Sequence, residues 1–129
     1  MRLSKIHTDA ITGDTDSEVL FHWILQNMEE VGDSVEGVKT ALELVRHYRH
    51  TALNFLLSDG HRLYAYREAD ERQEYFSLFI TEETNKDPNG MRRIIVCSER
   101  ITADNWKEIP MGELLCMEDG MIVMRAGMR

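Results

Sequence analysis

The residues best placed to do chemistry lie in the run Gly13-Asp14-Thr15-Asp16-Ser17-Glu18, followed at once by Val19, Leu20 and Phe21. An aspartate at such a point can hold an amine, or it can simply face the start of a helix. Thr15 as N-cap with Glu18 three residues later forms a capping box, and Asp16 complements the positive end of the helix dipole. Spacing alone therefore accounts for all three residues without a ligand.

Other candidates carry less. Of the five histidines, His7, His22, His47, His50 and His61, only His47 and His50 share a helical face. A zinc site needs third and fourth ligands that the neighbouring sequence does not offer, so no metal is expected and the pair suits a helix C-terminus instead. The two cysteines, Cys97 and Cys116, sit inside the apolar runs Ile94-Ile95-Val96-Cys97 and Leu114-Leu115-Cys116-Met117. Buried free thiols fit a reducing compartment. Gly-x-Ser-x-Gly and Cys-Gly-x-Cys patterns are absent, as is a glycine-rich loop from strand to helix, so neither a catalytic residue nor a cofactor is predicted. Ser98 beside Glu99 at a strand end can edge a polar site, and a turn explains the pair equally well. The four methionines Met111, Met117, Met121 and Met124 read as filling around the last hairpin.

The chain has 129 residues, a size suited to one domain spanning 1–129. With 43% hydrophobic residues it can fill a small core. A formal net charge of −8 repels phosphate backbones and anionic lipid, and no basic cluster offsets it, which argues against nucleic-acid and membrane partners. No apolar stretch approaches the roughly 20 residues of a membrane span, and no h-region follows Met1-Arg2-Leu3-Ser4-Lys5. A cytoplasmic protein is expected.

The positioning elements follow from periodicity. A helix starts near Thr15 with Val19, Leu20, Trp23, Ile24 and Met28 on one stripe; Gln26, Asn27 and Glu30 are left toward water, and Gly32 ends it. A second helix restarts at Asp33 or Ser34, with Val35, Val38, Ala41, Leu42 and Val45 as its stripe. From Thr51 the pattern turns to strands, over 52–57, 61–66, 75–80, 93–98, 112–117 and 121–125. Asp59-Gly60 and Asp119-Gly120 each predict a tight hairpin turn, with loops over 67–74 and 82–90. The run 93–98 is apolar almost throughout and is expected to be central and covered on both faces. Two helices followed by about six strands predict an α+β fold with the helix pair packed on an antiparallel-rich sheet.

With these elements in order, four segments resemble the class II glutamine amidotransferases, members of the N-terminal-nucleophile hydrolases. Thr15-Asp16-Ser17-Glu18 is similar to the segment that opens a helical pair in those domains. Leu53-Asn54-Phe55-Leu56-Leu57-Ser58-Asp59-Gly60-His61-Arg62-Leu63-Tyr64-Ala65 resembles their paired strands around Asp-Gly. Ile94-Ile95-Val96-Cys97-Ser98-Glu99 resembles their strand ending in Ser-Glu, and the order of Trp106, Pro110 and Gly112 before a strand matches their connection. The resemblance runs from about Gly13 to Arg125.

It implies part of an αββα sandwich and hydrolysis of the glutamine side-chain amide by an N-terminal cysteine, with oxyanion donors to stabilise the tetrahedral intermediate. It implies that Asp16 anchors the substrate α-amino group. No cysteine occurs before Cys97, and no His-Asn-Gly segment precedes Gly13. The chain is therefore expected to correspond to the family's carboxyl half and not to cleave glutamine on its own. A homo-oligomer, or a partner chain supplying the amino-terminal half and its cysteine, is expected; so is binding of glutamine or a related amino acid. A bare amino-acid-binding or dimerisation module is the alternative.

Overall fold

The computed structural model describes residues 2–10, 16–47, 52–70, 74–84, 92–103 and 105–128. Contacts within the chain gather into two units, 1–49 and 50–129. The first holds helices α1 (Lys5–Ala10), α2 (Asp16–Val31) and α3 (Ser34–Val45). The second holds strands β1 (Phe55–Ser58), β2 (Leu63–Arg67), β3 (Phe79–Thr84), β4 (Arg92–Cys97), β5 (Lys107–Glu108), β6 (Glu113–Glu118) and β7 (Met121–Gly127). Every pairing between these strands is antiparallel, and the architecture is α+β.

In the helical unit, α2 and α3 form a hairpin around Gly32 and Asp33. Gly32 takes φ +80°, a left-handed conformation that costs glycine nothing, and its N–H donates to the Met28 carbonyl at 3.0 Å. Asp33 then caps α3 by accepting the Glu36 N–H at 2.9 Å. The stripe Trp23, Ile24, Val38, Ala41, Leu42 and Val45 is buried as its spacing predicts. The Trp23 indole N–H donates to the Ala41 carbonyl at 3.1 Å, so the ring is buried without stranding its donor. Thr15 lies outside the described residues, so the capping box cannot be followed there.

Two expectations for α2 are corrected. Gln26 and Asn27 are buried, not turned toward water. Asn27 Nδ2 donates to the Trp23 carbonyl at 2.9 Å. Gln26 accepts the Ser4 N–H and donates to the Arg2 carbonyl at 3.0 Å, so a side-chain amide grips the backbone ahead of α1. Six residues are too few for an isolated helix. This clasp and the buried His7 hold α1 in place.

The strand unit has a four-stranded sheet, β1-β2-β6-β7, and a three-stranded sheet, β4-β3-β5. Ala65, Leu78, Ile80, Ile109, Leu115 and Met117 form the buried layer between them, with Leu63, Ile94, Val96 and Ile122 packed alongside. Alternation sends Tyr64, Tyr66, Leu114 and Cys116 to the opposite face of β2 and β6, where they are equally buried. The strands covered on both faces are thus β2 and β6. The run assigned that role from sequence, β4, is an edge strand whose Ile94, Ile95, Val96 and Cys97 are only half-buried. Apolar composition marks a strand that packs somewhere, but its place in the sheet depends on long-range pairing.

The strand expected over 75–80 lies instead at 79–84, because residues 74–76 form a turn that meets the buried Arg67 guanidinium. Arg67 donates from Nε to the Phe76 carbonyl at 3.1 Å and from Nη1 to the Ile109 carbonyl at 2.6 Å. Its Nη2 lies 2.9 Å from Glu108. Arg67 therefore ends β2 as a buried tie, not as the first residue of a charged loop. The turn expected over 82–90 begins later, since β3 continues to Thr84; residues 85–91 lie outside the described set. β5 has two residues and no periodic signal that could reveal it.

The two Asp-Gly pairs behave differently. Asp119 and Gly120 both take positive φ, 52° and 71°, and Glu118 pairs with Met121, giving the two-residue turn expected. At the first pair only Gly60 has positive φ, and strand pairing closes at Ser58 and Leu63 across four residues. There the Asp59 carboxylate accepts the N–H groups of His61 and Arg62 at 2.9 and 2.7 Å. The Arg62 bond above all, and then that of His61, hold its carboxyl below its ordinary pKa, so their contribution is complete above the usual carboxylate range and is lost as pH falls from there through the lowered value. Along β7 the register shifts where Cys116 pairs with Met124 but Met117 pairs with Ile122, leaving Val123 as an extra, bulged residue.

Gly37 sets how closely α2 and α3 approach. A Cβ built on it would lie 2.4 Å from the Met28 Cα, a backbone atom that cannot swing aside. Gly37→Ala is expected to lower the stability of the helical unit by about 1–3 kcal/mol through overpacking, although alanine gains ~1 kcal/mol over glycine within a helix. Urea titration followed by far-ultraviolet circular dichroism measures it; a stability equal to or above wild type would show that the helices can move apart freely.

Candidate functional site

Asp16, the one residue to which the family resemblance assigns substrate binding, is the first residue of the sixteen-residue helix α2. Its backbone thus stands at the positive end of the helix dipole, where negative charge is favoured. Gly13, Asp14 and Thr15 lie outside the described residues.

Ser98 and Glu99 follow β4 and are exposed, as expected of a polar edge. They line a groove of about 840 Å³ with Arg100, Asn54, Glu74, Ser77 and the rings of Phe55, Tyr75, Phe76 and Phe79. The Arg100 guanidinium lies 4.8 Å from the centre of the Phe79 ring, a cation–π contact. Asn54 shapes the floor by donating to the Phe76 carbonyl at 3.0 Å and accepting the Glu68 N–H at 3.0 Å. Ser77 Oγ donates to the Glu74 carbonyl at 2.6 Å. Among the described residues that line this groove there is no histidine. The arrangement suits holding a small polar molecule against aromatic walls.

The thiols were the remaining candidates. Cys97 is half-buried on β4, and Cys116 is buried on β6. Burial pushes the Cys116 thiol above its ordinary pKa, against the smaller opposing pull of Arg62 and Tyr64. A buried thiol held protonated is a poor nucleophile at neutral pH.

One cluster escaped sequence reasoning. His7 Nδ1 and His22 Nδ1 lie 3.1 Å apart, and His7 Nε2 lies 3.0 Å from a Glu29 carboxylate oxygen. With Nε2–H donating to Glu29, a neutral His7 accepts at Nδ1 from His22 Nδ1–H. Fifteen residues separate the two histidines across a helix junction, so no local spacing could reveal the pair. His47 is exposed after α3, His61 is exposed in the β1–β2 loop, and His50 lies outside the described residues. Among the described residues, no three histidine, cysteine, aspartate or glutamate side chains gather in a way that could hold a metal ion. Among those same residues, no helix is long and apolar enough to cross a membrane.

Two facing antiparallel sheets, a helical hairpin opening at Asp16 and the Ser-Glu strand end together define a recognisable class. The family model of class II glutamine amidotransferases matches residues 5–129, and the chain belongs to that family. A solved class II glutamine aminotransferase domain protein from Silicibacter pomeroyi superposes with a TM-score of 0.68 at 25% identity, over 97% of this chain and 57% of that one. An uncharacterized protein of Methanocaldococcus jannaschii is 27% identical over 134 residues, covering 86% of this chain. The chain spans only 36% of that protein's length.

The thiol environments give a direct test. Titration of the native chain with Ellman's reagent should modify Cys97 first, with Cys116 reacting more than about tenfold slower until the chain is unfolded. Cys97→Ser should remove the fast phase. Equal rates for both thiols in the native chain would contradict the burial of Cys116.

Proposed function

We propose that residues 1–129 act as the substrate-holding part of a class II glutamine amidotransferase module and do not release ammonia from glutamine by themselves. In this reading Asp16 anchors the α-amino group of glutamine. The attacking thiol and the oxyanion donors come from polypeptide outside these residues, either a further segment or a partner chain. The observation that carries the reading is the character of the two thiols: Cys116 is buried and held protonated, and Cys97 sits within a strand with no histidine at the neighbouring groove. A family reaction that starts with an exposed, activated thiol finds no such group among the described residues.

Partial coverage of both relatives supports a module completed by more polypeptide, 36% of one and 57% of the other. Free thiols at Cys97 and Cys116 support a cytoplasmic setting. A plain amino-acid-binding module is the second reading, favoured by the groove beside Ser98, Glu99 and Arg100.

Glutamate release from glutamine, followed by coupled dehydrogenase assay, tests the first reading. The chain alone should give none above buffer, and release by the pure chain overturns it. Isothermal titration with glutamine tests the anchor: Asp16→Ala should weaken binding about ten- to a hundredfold, as loss of a charged hydrogen bond of ~1.5–3 kcal/mol requires. Equal affinity in the variant removes Asp16 from the site.

A further inference from the structure

Most sheet edges of this chain are blunted. β5 is two exposed charged residues long, β7 carries a bulge at Val123, and β1 has four residues. Such devices discourage edge-to-edge pairing. β4 is neither short nor bulged, although it opens on the exposed Arg92 and Arg93: its six residues pair in unbroken register with β3 on one side, and no described strand pairs with it on the other. Ile94, Ile95, Val96 and Cys97 remain only half-buried.

The two faces of β4 differ. Ile94 and Val96 turn toward the layer between the sheets. The alternate residues Arg93, Ile95 and Cys97 present a cation and two apolar groups, and the exposed anion Glu99 stands in the bend just past the strand. Read antiparallel to itself, this series is self-complementary. With Val96 on a twofold axis, Ile95 faces Cys97 of a second copy, and Arg93 comes opposite the bend that carries that copy's Glu99. Opposed residues must lie on the same face of an antiparallel pair, and this register satisfies that rule. Glu83 already neutralises Arg93 from the neighbouring strand, so a second carboxylate completes an alternating row and does not bury a lone charge.

We propose that β4 is a homodimerisation edge, pairing with β4 of a second copy about a twofold axis at Val96 to join two three-stranded sheets into one of six strands. The contact is isologous and closes on itself, and the short β5 at the far edge of each sheet stops further growth. The inference stands on the strand itself and is independent of any glutaminase chemistry.

Sedimentation velocity across the micromolar range should find a dimer. Glu99→Lys, at an exposed position, should raise its dissociation constant at least about tenfold by setting like charges opposite one another, with the circular dichroism spectrum unchanged. Ile95→Cys sets a new thiol directly opposite Cys97 of the second copy, at a Cα separation of about 4.5–5.5 Å that a disulfide can bridge. Mild oxidation of Ile95→Cys should give a covalent dimer on non-reducing gels, whereas wild type under the same conditions should not. A monomer throughout that range, or a dimer indifferent to Glu99→Lys, overturns the proposal. So does a folded Ile95→Cys variant that forms no cross-link.

Discussion

Everything in residues 50–129 hangs on the apolar layer closed between the two sheets. Ala65, Leu115 and Met117 face Ile80 and Ile109 across it, and each large side chain removed from water contributes about 1.5–3 kcal/mol. So small a set leaves little surplus over chain entropy, which makes the layer's edges matter. Arg67 guards one of them. Its guanidinium reaches the carbonyls of Phe76 and Ile109 and the carboxylate of Glu108, fixing the segments that enter and leave the three-stranded sheet. The groove beside Ser98 and Glu99 exists because that tie holds the turn before β3 in place.

The sequence was most legible where the signal is local. The stripes of α2 and α3, the glycine between them and the Asp119-Gly120 turn all follow from spacing and turn chemistry, whereas of the two thiols expected to be buried only Cys116 is. Legibility failed where the decision is made at long range. Gln26 and Asn27 have the composition of a wet face, yet a backbone segment more than twenty residues away needs the Gln26 amide. Asp59-Gly60 carries the same two letters as Asp119-Gly120, but its carboxylate caps two following N–H groups and opens a wider loop. β4 is as apolar as a central strand and lies at an edge.

The candidate site divides the same way. Asp16 is a candidate only through a family segment that coincides with a helix-start pattern, and what the fold bears out is the helix start, since α2 begins there. Ser98 and Glu99 were recognised as a strand end, while the aromatic walls around them come from two other stretches of chain and carry no joint signature. The pairing of His7 with His22 crosses a helix junction and was invisible. A residue's local structural role can be read from sequence; a cluster assembled by the fold cannot.

The extra residue at Val123 changes the phase of β7 partway along its length. Ile122 and Met124 are two positions apart and in an unbroken strand would point the same way. Because of the bulge, Ile122 joins the layer between the sheets while Met124 stands opposite Cys116 on the reverse side. One short strand thereby serves two apolar compartments without a polar–apolar alternation to announce it. Half a wavelength slipped into a ladder lets an outermost strand seal both surfaces of its neighbour.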